Sequence, residues 1–114
     1  MAECLFCRIA RKEIPAKVLY EDRLVMAFAD VNPQAPVHAV IIPKAHFETL
    51  NDVSAEEEQL LGHVVIAATK LAGDLGLRDH GYRLVANCLA GAGQSVFHVH
   101  FHLLGGRNFA WPPG

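Results

Sequence analysis

Apolar and polar positions follow two different periods along this chain, and the switches between them outline its elements. Val18 to Tyr20 and Leu24 to Ala29 are short apolar runs separated by Glu21-Asp22-Arg23, which reads as two strands and a turn. Asp30 to Pro36 is a loop carrying Pro33 and Pro36, and Val37 to Ile42 is a β-branched strand ended by Pro43. Ser54-Ala55-Glu56-Glu57 has the form of a capping box, in which serine and glutamate satisfy backbone donors at a helix start. Behind it Leu60, Leu61, Val64, Val65, Ala68, Leu71, Ala72 and Leu75 recur at helical spacing, with Gly76 as the stop. Cys4 to Arg11 is a candidate short helix, stopped before Pro15. Tyr82 to Asn87 is a fourth strand, Leu89 to Gln94 a glycine-bearing turn, and Val96 to Leu104 a fifth strand of alternating character. Short-turn strands with one long helix inserted predict an α+β fold: a five-stranded antiparallel sheet with one long and one short helix. No repeat, low-complexity tract or linker interrupts residues 1–114, so the expected organisation is one domain.

The composition narrows the function classes. Apolar residues are 52% and charged residues 19%, the balance of a packed domain and not of a disordered chain. A formal charge of −2 offers no basic stripe for nucleic acid. No apolar run reaches the roughly 18 residues of a membrane span, and Met1-Ala2-Glu3-Cys4 lacks the basic and apolar regions of a signal peptide. The expectation is an intracellular, cytoplasmic protein whose three cysteines form no structural disulfides.

The chemistry concentrates in His98-Val99-His100-Phe101-His102-Leu103-Leu104. On a strand, side chains alternate between faces, so the three imidazoles would share one face and the apolar residues the other. Imidazole can be a nucleophile, proton carrier or metal ligand near neutral pH, and stability does not require a row of them. The pattern is similar to the signature of the histidine triad (HIT) superfamily. Phe28-Ala29-Asp30-Val31, Pro33-Gln34-Ala35-Pro36-Val37-His38, Ile42-Pro43-Lys44, Gly81-Tyr82-Arg83, Gly93-Gln94-Ser95-Val96, Leu104-Gly105-Gly106-Arg107 and Trp111-Pro112-Pro113-Gly114 extend the likeness, in order, to the Hint branch of nucleotide-binding proteins. Ala29 is a departure, standing where that branch carries a larger, often polar residue.

The resemblance implies a homodimeric purine nucleoside phosphoramidase, with a HIT-like fold pairing into a dimer, acting on AMP- or GMP-type compounds such as adenosine 5′-phosphoramidates, AMP-lysine and aminoacyl-adenylate-like compounds. It implies that His100 is the nucleophile, forming a nucleotidyl-histidine that water hydrolyses, and covalent catalysis of this kind splits one hard displacement into two easier ones. By the same matching His102 donates to the phosphate oxygens, Ser95 contacts the bridging atom of the leaving group, and His38 tunes or shuttles the nucleophile's proton. Asn87 would hydrogen-bond near the phosphate, Gly93 and Gln94 would bring backbone N–H groups close to it, and Asp30 would accept from the ribose hydroxyls. Phe6, Ile9, Phe28 and Val31 are the candidates for the base pocket. No metal is expected in the catalysis itself.

Plainer readings stand beside these. Asp30 and Asn87 could cap turns, Cys88 is expected to be a small buried hydrophobe, and Glu56 to Glu58 a solvated first turn. His63 and His80 are expected to be solvated. Cys4-x-x-Cys7 suits zinc, and some HIT proteins pair such cysteines with the histidine after Ile-Pro-Lys and the first triad histidine, here His46 and His98. Two free thiols are the equal alternative. Three other functions also fit: a nucleotide-binding scaffold with incidental turnover, a dinucleoside polyphosphate hydrolase, and a metallohydrolase using His98 and His100 as a zinc pair.

Overall fold

The computed structural model describes residues 4–114. Helix α1 is Leu5–Ala10; strands β1 to β3 are Val18–Glu21, Val25–Ala29 and Val37–Pro43; helix α2 is Glu58–Asp74; β4 is Tyr82–Ala86 and β5 is Phe101–Gly105. The strands form one antiparallel sheet in the order β1-β2-β3-β5-β4, so the last strand inserts between β3 and β4. Among the described residues no helix is long and apolar enough to cross a membrane.

Both faces of the central strands are covered, which is why β2 and β3 read as continuous apolar runs. Val25, Ala27, Ala39, Ile41 and Leu103 pack against Val64, Ala67, Ala68, Leu71 and Ala72 of α2. The alternate residues Met26, Phe28, Val40 and Ile42 pack on the other face against Phe6 and Ile9 of α1. That second layer is thin, a helix of six residues, and it leaves room beside it for a cavity. Gly105 shows how closely the α2 side is packed: a Cβ there would lie 2.7 Å from the Leu77 methyls.

Several expectations change. The histidine strand begins at Phe101, not Val96, because the Val99 amide bonds the carbonyl of Phe47 (2.7 Å) instead of joining a strand ladder. Only His102 of the three lies within β5, yet His98 and His100 both meet the Phe6 ring and His102 lies 5.0 Å from His100, so the three imidazoles still share the α1 side of the sheet. On α2 the buried stripe is Val64, Ala67, Ala68, Leu71 and Ala72, while Val65 and its neighbour Ile66 are exposed. The Ser54–Glu57 capping box forms, but it closes a 3-10 turn, Ala55–Glu57, ahead of the α-helix proper. Finally, His63 is not simply solvated. Its Nε2 lies 2.7 Å from Asp22 Oδ2 and ties α2 to the β1–β2 turn. Asp22 also accepts from the Tyr20 hydroxyl and the amides of Leu24 and Val25. Burial works to raise its pKa, but these hydrogen bonds outweigh it and hold the carboxyl well below the usual range. His80 is exposed, as expected, and Cys88 is only half-buried.

Candidate active site

The site forms where β3 and β5 run side by side. Val40 pairs with His102 and His38 with Leu104, which places His38 and His102 as diagonal neighbours. His38 Nδ1 accepts the Gln34 amide (3.0 Å), so its proton sits on Nε2. That Nε2–H faces His102 Nδ1 at 2.9 Å and the Asp30 carboxylate at 3.3 Å. His102 Nδ1 is thereby an acceptor, and the proton of neutral His102 is left on Nε2. Burial, with the neighbouring His100 and His38, lowers the His102 pKa against the pull of Asp30, which keeps the ring neutral at pH 7.

His100 is set by its own backbone. Its Nδ1–H donates to the His98 carbonyl at 2.7 Å, so Nε2 is an unprotonated lone pair. Phe6 meets the His100 ring edge-on, with centroids 5.1 Å apart, and holds it against rotation. The result is one ring offering a lone pair and, 5.0 Å away between centroids, another offering an N–H.

Both rings line a cavity of about 460 Å³. Phe6, Ile9, Phe28, Val31, Asp30 and Ser95 line it too, joined by Val40, Val96 and the segment Ile14 to Lys17. The last three were not anticipated. An isolated Ile14 before Pro15 was the available hint, and only the packing of the α1–β1 connection turns it into a cavity wall. Asp30 serves two ends, its Oδ1 accepting the Asn32 amide at 2.8 Å and its Oδ2 facing the histidine pair. Asn87 follows β4 directly, beside Ala86, which pairs with Phe101.

Gly93 and Gln94 take different roles from those expected. The Gly93 amide bonds Ala90 and the Gln94 amide bonds Leu89, so neither is left for a phosphate. Gly93 sits at φ +94°, a backbone glycine adopts at no steric cost. The buried Gln94 side chain accepts from the Leu89 amide (2.7 Å) and donates to the carbonyls of Glu48 (2.7 Å) and Val96 (3.1 Å). It clamps the turn that presents Ser95, which is itself exposed at the cavity.

Behind His100 lies a second cluster. His98 is fully buried, and its Nε2–H donates to the Pro43 carbonyl at 2.7 Å, leaving Nδ1 as the lone pair. Burial lowers its pKa, partly offset by that carbonyl and reinforced by His46 and His100. Nδ1 lies 3.4 Å from Cys4 Sγ, 3.6 Å from Cys7 Sγ and 3.1 Å from His46 Nδ1, and Cys7 Sγ is 3.3 Å from His46 Nδ1. A tetrahedral zinc with bonds of about 2.3 Å to sulfur and 2.05 Å to nitrogen sets S···N edges of about 3.6 Å and an N···N edge of about 3.3 Å. The four donors stand close to that geometry and fit the metal, with the Pro43 carbonyl orienting His98 as an outer partner. Asp30, His38 and His102 also gather within metal-ligand range, but there the His38 Nε2 proton occupies the space between them. His100 joins neither group, so His98 and His100 do not act as a zinc pair.

Residues 11–109 match the HIT domain. The chain belongs to the HIT family. This HIT protein is 50% identical over 105 residues to the purine nucleoside phosphoramidase of Escherichia coli K12, covering 92% of this chain and 88% of that enzyme. A HIT family hydrolase from Legionella pneumophila Philadelphia 1 superposes with a TM-score of 0.97 at 54% identity, covering 98% of this chain and all of the other. A histidine triad nucleotide-binding protein from Candida albicans gives 0.82 at 32% identity, covering 96% and 83%. With these relatives the HIT protein is a hydrolase-family enzyme.

Proposed function

We propose that this HIT protein hydrolyses the P–N bond of purine nucleoside 5′-phosphoramidates through a nucleotide attached to His100. The observation that carries the reading is the pair of fixed tautomers: His100 with its Nδ1–H on the His98 carbonyl, and His102 with Nδ1 on His38. The nucleoside fills the apolar cavity, with the base against Phe6, Ile9 and Phe28, and Asp30 near the ribose. His100 Nε2 attacks the α-phosphorus, the P–N bond breaks, and the leaving nitrogen takes a proton from solvent relayed by the Ser95 hydroxyl. His102 Nε2–H stabilises the charge on the phosphoryl oxygens as it develops. Water then attacks the phosphorus and gives up a proton to solvent, the P–Nε2 bond breaks, the nucleoside monophosphate leaves, and the lone pair returns to His100 Nε2. A zinc ion held by Cys4, Cys7, His46 and His98 would pin α1 to the triad segment and take no part in the displacement.

A homodimer fits the same reading. Strand β4 ends the sheet with its outer edge unpaired among the described strands, and Val65 and Ile66 of α2 and Tyr82 of β4 are exposed apolar side chains.

The test is His100→Ala with a fluorogenic adenosine phosphoramidate. Turnover should fall by about a thousandfold or more, while AMP binds within about threefold of the parent, because the cavity is retained. Wild-type turnover in the variant overturns the assignment.

A further inference from the structure

We propose that Cys4 and Cys7 are a peroxide-sensitive modification site, and that joining them as a disulfide opens the nucleotide cavity. The inference rests on reading the four donors around His98 Nδ1 as a zinc site.

One short helix carries both the thiols and the cavity wall. Cys4 caps α1 and Cys7 lies in its first turn, with the Cys7 amide bonding Cys4 Sγ at 3.4 Å. Between them Phe6 packs into the core, where its ring meets Phe28 at 5.3 Å, His100 at 5.1 Å and His98 at 6.1 Å. Ile9, one turn on, lines the same cavity. Only six residues long, α1 draws little stability from its own backbone bonds, so its position depends on Phe6 and Ile9 on one side and the four-donor cluster on the other.

The thiols can be reached. Cys4 and Cys7 are half-buried and His46 is exposed. A hydroperoxide oxidises the zinc-bound thiolates in two steps. The first thiolate attacks the peroxide, breaking its O–O bond and forming a sulfenic acid with release of water or alcohol. The second displaces the sulfenic hydroxyl as water, forming the S–S bond. Two protons are taken up, the peroxide is reduced, the two sulfurs are oxidised, and zinc leaves because two of its four ligands are gone.

The disulfide also changes the helix. Cys4 is the extended N-cap and Cys7 lies in the first turn, and a disulfide holds their Cβ atoms at about 3.8 Å, tying the cap to the turn instead of to the metal. The thiols then no longer tie α1 to His46 and His98, and Phe6 and Ile9 alone hold it on the sheet. Losing the metal at the same moment frees His98, whose carbonyl holds the His100 ring. Oxidation therefore acts on nucleotide affinity first, through the wall that Phe6 and Ile9 supply.

The experiment uses untagged protein purified with reductant. Metal analysis should find about one zinc per chain. Hydrogen peroxide should release it, read with a chromophoric chelator, while intact mass falls by two hydrogens and AMP affinity drops about tenfold, the loss of an aromatic contact with its share of buried area. Reductant plus zinc should restore both mass and affinity. Cys7→Ser should show neither disulfide nor reversible change, and the wild-type cycle stands as the test if that variant folds poorly. Substoichiometric zinc, stable sulfinic acids in place of the disulfide, or zinc release with unchanged AMP affinity each overturns the proposal. A reduced zinc protein that binds no AMP overturns the coupling together with the functional reading, whereas one that binds AMP without turning over phosphoramidates leaves the redox result intact.

Discussion

Replacing Gln94 with alanine separates a clamp from a ligand. The side chain is buried and makes three hydrogen bonds, to the Leu89 amide and to the carbonyls of Glu48 and Val96. Each neutral bond contributes about 1 kcal/mol net, and a buried partner left unpaired costs about 1–3 kcal/mol. The Leu89 bond is only partly buried, so the lower values apply there. The total is about 3 kcal/mol, which for a domain of this size lowers Tm by roughly 10 °C. The assay is urea and thermal unfolding at fixed chain concentration, since association would make the midpoint concentration-dependent. Turnover should fall as well, because the clamped turn carries Ser95, while AMP affinity should stay within about threefold. A Tm within about 2 °C of the parent, combined with a tenfold loss of AMP affinity, would refute the reasoning and make Gln94 a direct nucleotide ligand.

Two further outcomes follow from other contacts. Asp22→Asn should cost about 2 kcal/mol at pH 7 through weakened bonds from Tyr20, Leu24, Val25 and His63; because the folded pKa of Asp22 is depressed, the difference from wild type should hold above about pH 5 and shrink as pH falls below 3.8, read by urea unfolding across pH. Trp111 is 84% exposed, so Trp111→Ala should change stability by less than about 0.5 kcal/mol; if the tail reaches a partner's site, the variant should alter preference among leaving amines, and identical relative rates across a panel of amines would reject that role.

Much of this protein was legible in the order of its residues. The strands and both helices follow from periodicity and turn chemistry, since a sheet covered on both faces writes continuous apolar runs and an amphipathic helix writes a stripe. The histidines, Asp30 and Ser95 stood out because the residue types alone carry the chemistry. What the order could not decide was direction. Three alternating histidines imply one shared side, and they keep it, but the Val99–Phe47 bond takes His98 and His100 out of the strand ladder. The carbonyls that result then choose the tautomers: Pro43 aims His98 at the thiols, and His98 aims His100 at the cavity. Gln94 and Gly93 look like phosphate ligands beside Ser95, but their amides and the glutamine side chain are used within the protein. Cys4 and His98 lie 94 positions apart, and only the packing of α1 across the sheet brings them, with Cys7 and His46, within one metal's reach. Local pattern sets which backbone forms helix or strand; the hydrogen bonds that assign each imidazole its proton come from residues distant in the chain, so they exist only once the fold has closed.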